Sequence, residues 1–297
     1  MTYERVSVII PAKNEALGLQ SLLPALRAQL PNAQILVVDD GSTDDTARIA
    51  RAEGADVIRH PYSKGNGAAI KTGARSAKGT LLVLMDADGQ HQPSEIPKLL
   101  EQLHAGYDLV VGARGKDAQA SWGRWLANAV YNRFASLFVG QPVADLTSGF
   151  RAVRAELFRE FLHMLPNGFS YPTTSTMAFF RAGYSVGFVP VDVAARKAGG
   201  KSHIRVLRDG ARFLLIIFRV GTLYSPLKLF LPISALFFAG GVGYYLYTFS
   251  TVGRFTNGTG LLLITSVLVF LIGLVSEQIT NLLYATRRSQ DGSGRSE

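Results

Sequence analysis

The sequence predicts an α/β protein with a doubly wound, mostly parallel sheet, followed by an amphipathic segment and two membrane-spanning helices. The sheet is predicted because short apolar runs alternate with helical patterns of about ten or more residues. The spans are predicted because residues 229–253 and 255–276 contain no charged side chain. Each stretch exceeds the roughly 20 residues needed to cross the hydrocarbon core of a bilayer.

The composition narrows the class of protein further. The 297 residues suffice for one substantial domain and a smaller part, and the hydrophobic content is 47%, with the excess in the last third. The net charge is +9, and basic residues flank the apolar spans, which favours a membrane surface over nucleic acid. The absence of cysteine excludes disulfides, Cys-ligated zinc and iron–sulfur clusters. The start, MTYERVSVII, lacks the pattern of a signal peptide, so we expect the amino-terminal domain in the cytoplasm.

Hydrophobic patterning gives the elements in order. Strands are predicted at 6–10, 35–38, 57–58, 81–85, 108–112 and 187–191. Helices are predicted at 17–30, 44–53, 94–105, 122–139 and 155–165, with one more that follows the glycine-rich turn 64–67 and ends at 77. Ser42 and Asp45 have the spacing of a capping box at the start of the second helix.

The stretch 81–93, LLVLMDADGQHQP, organises the predicted domain. Its apolar strand ends at Asp86-Ala87-Asp88, and Gln90 and His91 follow. In open α/β sheets ligands bind beyond the carboxyl ends of the strands. Hard oxygen ligands there suit Mg²⁺ or Mn²⁺ and a substrate diphosphate, although a bare D-x-D also fits a solvated turn.

Two further strand ends strengthen the interpretation as a site. Asn14 and Glu15 follow the first strand, and Asp39 and Asp40 follow the second. In a doubly wound sheet they converge with the D-x-D to form one acidic pocket that can hold a nucleotide. The sequence contains neither a P-loop motif nor a G-x-G-x-x-G after the first strand, which disfavours kinase-type and dinucleotide sites.

The motifs VSVIIPAKNE, VVDDGSTDDT, DADGQH, VVGAR and DLTSGFRA occur in this order. Together they resemble the family 2 glycosyltransferases of the GT-A fold. Within that family the chain looks most like the polyprenyl-phosphate glycosyltransferases of the dolichyl-phosphate mannose synthase type. The resemblance covers residues 6–203 and implies Mg²⁺- or Mn²⁺-dependent transfer of a hexose, with inversion, from a GDP-mannose- or UDP-glucose-type donor to a polyprenyl phosphate.

The resemblance also assigns site residues. Those implied for the nucleotide are Pro11, Asn14, Glu15, Asp39 and Asp40. Those implied for the metal and the diphosphate are Asp86, Asp88 and Gln90, with Ala87 between the acids. Arg114 is expected near the sugar phosphate, and Lys64 is a candidate for the donor phosphate.

Acceptor-side residues follow in the same way. Arg124 and Asn128 match positions near the lipid phosphate, and Arg196 in the basic loop matches an arginine that contacts phosphate. Ser148 and Arg151, in the run Ser148-Gly149-Phe150-Arg151, are expected to line the acceptor side. The chain departs from the family's Ser-Lys after that loop, with Lys201-Ser202-His203, so either Lys201 or His203 takes the role of the lysine.

A phosphate acceptor explains why no general base stands out. A hydroxyl must lose a proton to attack, whereas a phosphate is already ionised near neutral pH and needs only positioning by arginines. Asp145 lies where a base could be sought, but its neighbours predict a turn, and we give it a structural role. His91 is expected to hydrogen-bond beside the site rather than bind the metal.

The predicted organisation has four parts. They are a cytoplasmic GT-A catalytic domain at 1–202, an amphipathic interfacial region at 203–225, a two-span transmembrane hairpin at 226–284 and a disordered tail at 285–297. Basic residues precede the first span and follow the second, so the positive-inside rule places both ends at the cytoplasmic face, in a bacterial inner membrane. Glycines in the first span permit close helix packing, and the hairpin could form a homo-oligomer.

Two alternatives remain open at this stage. A sugar or polysaccharide acceptor is the first, although processive synthases carry Q-x-x-R-W and this chain has Ser121 at the glutamine position. A non-catalytic membrane scaffold that binds nucleotide-sugar is the second, although both acids of the D-x-D are present. The sequence offers no basic face with interleaved aromatics away from the membrane-flanking region, so we predict no nucleic-acid partner.

Overall fold

The structure, a computed structural model, describes residues 5–114, 122–168, 170–192, 218, 221, 222 and 224–285. The chain divides into two compact units, Met1–Ile204 and Arg205–Glu297. The first unit contains the sheet and the helices around it, and the second contains two long helices.

The elements are numbered here in chain order. The strands are β1 Val6–Ala12, β2 Gln34–Asp39, β3 Asp56–Arg59, β4 Leu81–Leu84, β5 Leu109–Arg114, β6 Arg151–Arg154 and β7 Val186–Val191. The helices of the first unit are α1 Ala16–Gln29, α2 Thr46–Ala52, α3 Asn66–Ser76, α4 Ile96–His104, α5 Trp122–Val139, α6 Ala155–Glu160 and α7 Tyr171–Ala182. The helices of the second unit are α8 Pro226–Val252 and α9 Asn257–Ala285.

The described strands form one seven-stranded sheet in the order β3-β2-β1-β4-β6-β5-β7. The pairs β3–β2, β2–β1, β1–β4 and β5–β7 are parallel, whereas β6 runs antiparallel to both of its neighbours. The predicted doubly wound, mostly parallel sheet is confirmed. Because β6 is reversed, the residues just before it lie at the same edge as the residues just after β1, β2 and β4.

The sheet is central because its middle strands are apolar on both faces. All seven residues of β1 and all four of β4 are buried, as expected for strands covered by helices on both sides. Leu19, Leu23 and Leu26 lie on the buried side of α1, at the spacing of one helical face, and join the main core cluster with Leu99 of α4. Each fully buried leucine contributes about 2 kcal/mol of transfer free energy to this packing.

Two glycines let helices pack closely against β1 and the D-x-D loop. A Cβ on Gly73 of α3 would lie 2.3 Å from Cγ2 of Ile9, so α3 packs directly on β1. A Cβ on Gly18 of α1 would lie 2.3 Å from the carbonyl oxygen of Ala87. The backbone of the D-x-D loop is therefore held against the first turn of α1.

Some local predictions were wrong. The helix predicted at 155–165 ends at Glu160, and the capping box does not form, since α2 begins at Thr46 and Ser42 accepts a hydrogen bond from the Asn14 N–H instead. β6 and α7 were not predicted. β6 is only four residues long and carries an arginine at each end, so its sequence has no apolar run of the kind used to predict the other strands.

The second unit is an antiparallel helical pair. α8 is 27 residues long, and α9 has a 26-residue apolar part, so both are long and apolar enough to cross a membrane. Oγ of Ser234 donates to the carbonyl oxygen of Ser266 at 2.9 Å, and Oγ of Ser266 donates back to the carbonyl of Ser234 at 3.0 Å. Glu277 accepts the N–H of Leu227 at 3.2 Å, near the amino terminus of α8.

Several predictions fall on residues outside the described ranges. They concern the basic loop at 196–203, most of the amphipathic region at 203–225 and the tail from 286 onward.

Candidate functional site

A cavity of about 500 Å³ opens at the carboxyl ends of β1, β2 and β4. Its lining residues are Pro11, Ala12, Lys13, Glu15, Asp40, Ser63, Gly65, Asn66, Asp86, Ala87, Asp88 and Gln90. Seven of the predicted site residues are among them: Pro11, Glu15, Asp40, Asp86, Ala87, Asp88 and Gln90. The three strand ends therefore meet in one pocket.

The D-x-D loop places two carboxylates at this cavity. Burial raises the pKa of Asp86 above its ordinary value, and the neighbouring Asp88 raises it further. The N–H of Gln90 donates to Oδ1 of Asp88 at 3.1 Å, which turns the loop back on itself. Two adjacent acids that repel each other in a partly buried site fit a divalent cation that also binds a substrate diphosphate.

The residues predicted to bind the cation do not form a closed protein cage. The described residues contain no cluster of three or more His, Cys, Asp or Glu side chains that could hold a metal. Mg²⁺ typically binds through one or two carboxylates plus substrate phosphates and waters, so Asp86 and Asp88 with the Gln90 side chain suit it.

His91 lies just behind this loop. Its ring is 6% exposed and stacks on the ring of Phe150, with centroids 4.9 Å apart. Burial lowers the pKa of His91 to about 4, so the imidazole is uncharged at neutral pH. A neutral, stacked ring fixes the end of the D-x-D loop against the segment that precedes β6.

Asn14 and Asp39 do not line the cavity but shape the loops beside it. Asn14 has a left-handed backbone with φ of 55°, and its Oδ1 accepts the N–H of Thr43 at 2.9 Å. Oδ1 of Asp39 accepts the N–H of Ser42 at 2.8 Å, while its Oδ2 faces Nε of Arg59 at 3.2 Å without a well-aligned hydrogen bond. The structure thus ties the loop after β1 to the loop after β2 through the residues predicted to hold the nucleotide.

Asp40 is both a lining residue and a clamp. Its Oδ1 accepts from His60 Nδ1 at 2.7 Å and from the Lys64 N–H at 2.8 Å, and its Oδ2 accepts from Ser63 Oγ and the Gly65 N–H, each at 2.8 Å. Burial alone would raise the pKa of Asp40, but these hydrogen bonds lower it to about 2. The carboxylate therefore holds the turn before α3 in place. Lys64, a candidate for the donor phosphate, has its side chain over the Tyr62 ring and does not line the cavity.

The clamp predicts a specific acid sensitivity. Because the folded-state pKa of Asp40 is about 2 against an ordinary 3.8, its contribution to stability is complete above pH 3.8 and is lost as the pH falls through 2. We expect wild type to be more stable than Asp40→Asn by a constant margin above about pH 5, and the margin to shrink below about pH 4. Thermal unfolding of the two proteins across this range measures it, and a margin that persists to pH 2 would show that charge is not the cause.

Arg114 is paired with Asp145 at the edge of the same region. Nε of Arg114 lies 2.7 Å from Oδ2 of Asp145, and its Nη2 lies 3.1 Å from Oδ1. Asp145 also accepts the N–H groups of Thr147 and Ser148, which forms the predicted turn. Burial alone would raise the pKa of Asp145, and the bonds from Arg114 and the turn lower it instead.

The segment before β6 lies directly beneath the D-x-D loop. A Cβ on Gly149 would lie 2.7 Å from Oδ2 of Asp86, so only glycine fits there without moving the carboxylate. Ser148 is 1% exposed and its hydroxyl bonds with the backbone of Phe150. The expected acceptor-lining residues of this run are therefore packed under the site and do not line the described cavity.

Arg151 is fully buried and faces α7. Its Nη1 donates to the Pro172 carbonyl at 3.0 Å and to Ser175 Oγ at 2.7 Å, and its Nη2 donates to the Ser148 carbonyl. Burial lowers the pKa of its guanidinium below the ordinary value. In the structure Arg151 supports the floor of the site from below.

The remaining predicted residues cannot be placed. Arg124 and Asn128 belong to α5, but their side chains lie outside the described part, and Arg196 and Lys201 fall in the range 193–217, which the structure does not describe. Lys13, Ser63 and Asn66 line the cavity without having been predicted. The glycines on either side of Asn66 could have indicated that this turn belongs to the site. Gly65 and Gly67 allow the turn to pack closely against the backbone of Pro166 to Gly168.

Comparison with known proteins supports the fold and the family. A polyprenol monophosphomannose synthase from Mycolicibacterium smegmatis is 31% identical over 211 residues, covering 66% of this chain and 80% of that protein. An undecaprenyl-phosphate mannosyltransferase from Micrococcus luteus is 32% identical over 209 residues, covering 66% and 86%. The solved glucosyl-3-phosphoglycerate synthase from Mycobacterium tuberculosis superposes with a TM-score of 0.59 at 23% identity, covering 74% of this chain and 79% of that one, which shows a shared fold.

Two family models match different parts of the chain. The GtrB C-terminal hairpin matches residues 225–282, which include α8 and most of α9. The glycosyl transferase family 2 model matches residues 7–162, from β1 to just beyond α6. The chain therefore belongs to glycosyl transferase family 2.

Proposed function

We propose that this protein transfers a hexose from a nucleotide-sugar to a polyprenyl phosphate at the cytoplasmic face of a membrane. The observation that carries the proposal is the pocket in which Asp86 and Asp88 meet the ends of β1 and β2, in a chain that also has an apolar hairpin. The relatives named for polyprenol and undecaprenyl phosphate support the lipid acceptor. GDP-mannose and UDP-glucose are the donor types we favour.

The reaction is a single displacement at the sugar carbon. An oxygen of the lipid phosphate forms a bond to C1 as the bond from C1 to the donor diphosphate breaks, and the configuration inverts. Asp86, Asp88 and Gln90 would hold Mg²⁺ or Mn²⁺, which stabilises charge on the leaving diphosphate as a Lewis acid. Asp40 and the turn it clamps line the nucleotide side of the pocket, and Gly149 leaves room for the Asp86 carboxylate.

The acceptor side needs positive charge rather than a base. The phosphate nucleophile is already ionised, so cationic side chains have to orient it, and no proton transfer is required. We assign this role to Arg124 and Arg196, with Asn128 as a neutral hydrogen-bond donor and Lys201 or His203 nearby. We also assign Arg114, which pairs with Asp145, a role near the sugar phosphate.

The membrane arrangement follows from charge. We propose a catalytic domain at 1–202, an interfacial region at 203–225 and a hairpin at 226–284 with both ends in the cytoplasm, because basic residues flank the outer ends of the spans. In a bacterium this is the inner membrane. A homo-oligomer formed through the hairpin is compatible with this arrangement.

The test is a donor panel with detergent-purified protein. UDP-glucose, UDP-galactose and GDP-mannose are each incubated with undecaprenyl phosphate and Mn²⁺ or Mg²⁺, and sugar in the organic phase is counted. We expect transfer from one donor, its loss with EDTA or Asp88→Ala, and its retention in Asp56→Ala, a matched control at an exposed acid on β3. The lipid acceptor would be rejected if the protein consumes the donor but forms no lipid-linked sugar. This holds whether or not a soluble sugar acceptor is also present.

A further inference from the structure

Some buried polar side-chain atoms among the described residues have no hydrogen-bond partner, and one of them lies at the cavity. In the described part of the chain these side-chain atoms are Asp39 Oδ2, Asn66 Oδ1, His91 Nδ1 and Arg151 Nε. Native proteins leave few such atoms, so each needs a reason. Asn66 is the member of this set that lines the cavity.

The backbone of Asn66 is held from both sides. The N–H of the preceding Gly65 donates to Oδ2 of Asp40 at 2.8 Å. A Cβ on the following Gly67 would lie 2.1 Å from the carbonyl oxygen of Pro166, and the N–H of Ala68 donates to the Asn167 carbonyl at 3.1 Å. The first residue of α3 therefore presents its side chain to the cavity from a fixed position.

That side chain reaches Asp86. The Asn66 amide forms a hydrogen bond with the Asp86 carboxyl group. Because Oδ1 of Asn66 has no hydrogen-bond partner among the described residues, the amide nitrogen is the atom that donates to Asp86. Oδ1 is then a buried acceptor without a protein partner among the described residues, which an O–H group of a ligand would satisfy.

We infer that Asn66 is a positioning residue for the divalent cation: its amide nitrogen orients Asp86, and its Oδ1 accepts a hydrogen bond from an O–H group of the bound ligand. That O–H group belongs either to a water on the cation or to a hydroxyl of the donor. The inference rests on the proposed role of Asp86 in metal binding, and it adds a residue from α3 to a site otherwise built from strand ends. Groups that orient a metal ligand commonly contribute on the order of 10- to 100-fold to metal affinity.

The test measures Mn²⁺ binding without requiring sugar transfer. Full-length wild type, Asn66→Ala and Asn167→Ala are titrated with Mn²⁺ in detergent, and free Mn²⁺ is followed by electron paramagnetic resonance, alone and with UDP or a nucleotide-sugar. Asn167→Ala is the matched control, because the Asn167 side chain accepts a hydrogen bond from Lys71 on α3, the helix that begins with Asn66, but does not line the cavity. Thermal unfolding of the metal-free proteins checks that all three are folded.

We expect Asn66→Ala to bind Mn²⁺ about 10-fold or more weakly and Asn167→Ala to bind it as wild type does. A loss seen with Mn²⁺ alone shows that Asn66 supports the metal site itself, and a further loss that appears only with the nucleotide-sugar assigns the O–H group to the donor. The inference is overturned if Asn66→Ala binds Mn²⁺ like wild type, if the control is weakened equally, or if wild type binds no Mn²⁺. If Mn²⁺ binding depends on Asn66 but no donor is used, the proposed function fails while this inference stands.

Discussion

Replacing Asp86 with asparagine is expected to lower sugar transfer by about 10³-fold or more while leaving the metal-free protein at least as stable as wild type. The loss follows because an amide provides a neutral, weaker ligand for a hard cation. The preserved stability follows because the carboxylate is buried beside the like-charged Asp88, and both effects raise its pKa. Steady-state kinetics and thermal unfolding without metal measure the two effects.

A second comparison isolates the metal. Mn²⁺ should raise the unfolding temperature of wild type and leave that of Asp86→Asn nearly unchanged, since a ligand stabilises only the state that binds it. Asp56→Asn, at an exposed acid on β3, should behave as wild type in both measurements. Near-normal transfer by Asp86→Asn would remove this residue from the proposed mechanism.

Replacing Arg151 with alanine is expected to cost about 3–5 kcal/mol of unfolding free energy and to prevent folding in marginal conditions. The guanidinium is fully buried, and its removal leaves the Ser148 and Pro172 carbonyls and the Ser175 hydroxyl without this donor. It also leaves a cavity between β6 and α7. Chemical denaturation in detergent measures the change.

The matched control lies three residues further along the same strand. Arg154 is 37% exposed at its side chain, and its Nε lies 3.7 Å from an oxygen of Asp108, so Arg154→Ala should cost only about 1 kcal/mol or less. Arg151→Lys should fall between the two, because one ammonium cannot reach all of the guanidinium's acceptors. Equal stability of Arg151→Ala and Arg154→Ala would contradict the supporting role given to Arg151.

Much of the fold follows from local pattern. The apolar runs of β1, β2 and β4 and the acids that end them are visible in the sequence, and the convergence of strand ends in parallel sheets brings Glu15, Asp40 and Asp86 together. The metal-binding roles of Asp86, Asp88 and Gln90 stay predictions, which Mn²⁺ titration tests.

The features that sequence reasoning missed depend on contacts between distant segments. Asn14 was expected at the nucleotide, but its left-handed backbone turns its side chain to Thr43 of the next loop. Arg151 was expected at the acceptor, but it lies on the short strand β6 and its side chain contacts α7. A four-residue strand with an arginine at each end has no apolar pattern from which to predict it. The role of Asn66 depends on a hydrogen bond that spans 20 residues of chain, which no local motif encodes.

The reversed strand β6 has a consequence for how acceptor preference can diverge. Parallel strands β1, β2 and β4 bring their following loops to the pocket, whereas β6 brings the chain that precedes it, residues 145–150, to the underside of the D-x-D loop. We therefore expect residues 115–150, between β5 and β6, to influence acceptor preference, with Asp145 and Gly149 kept so that the pair with Arg114 and the space beside Asp86 persist. Chimeras that swap this segment should change the acceptor while keeping the donor.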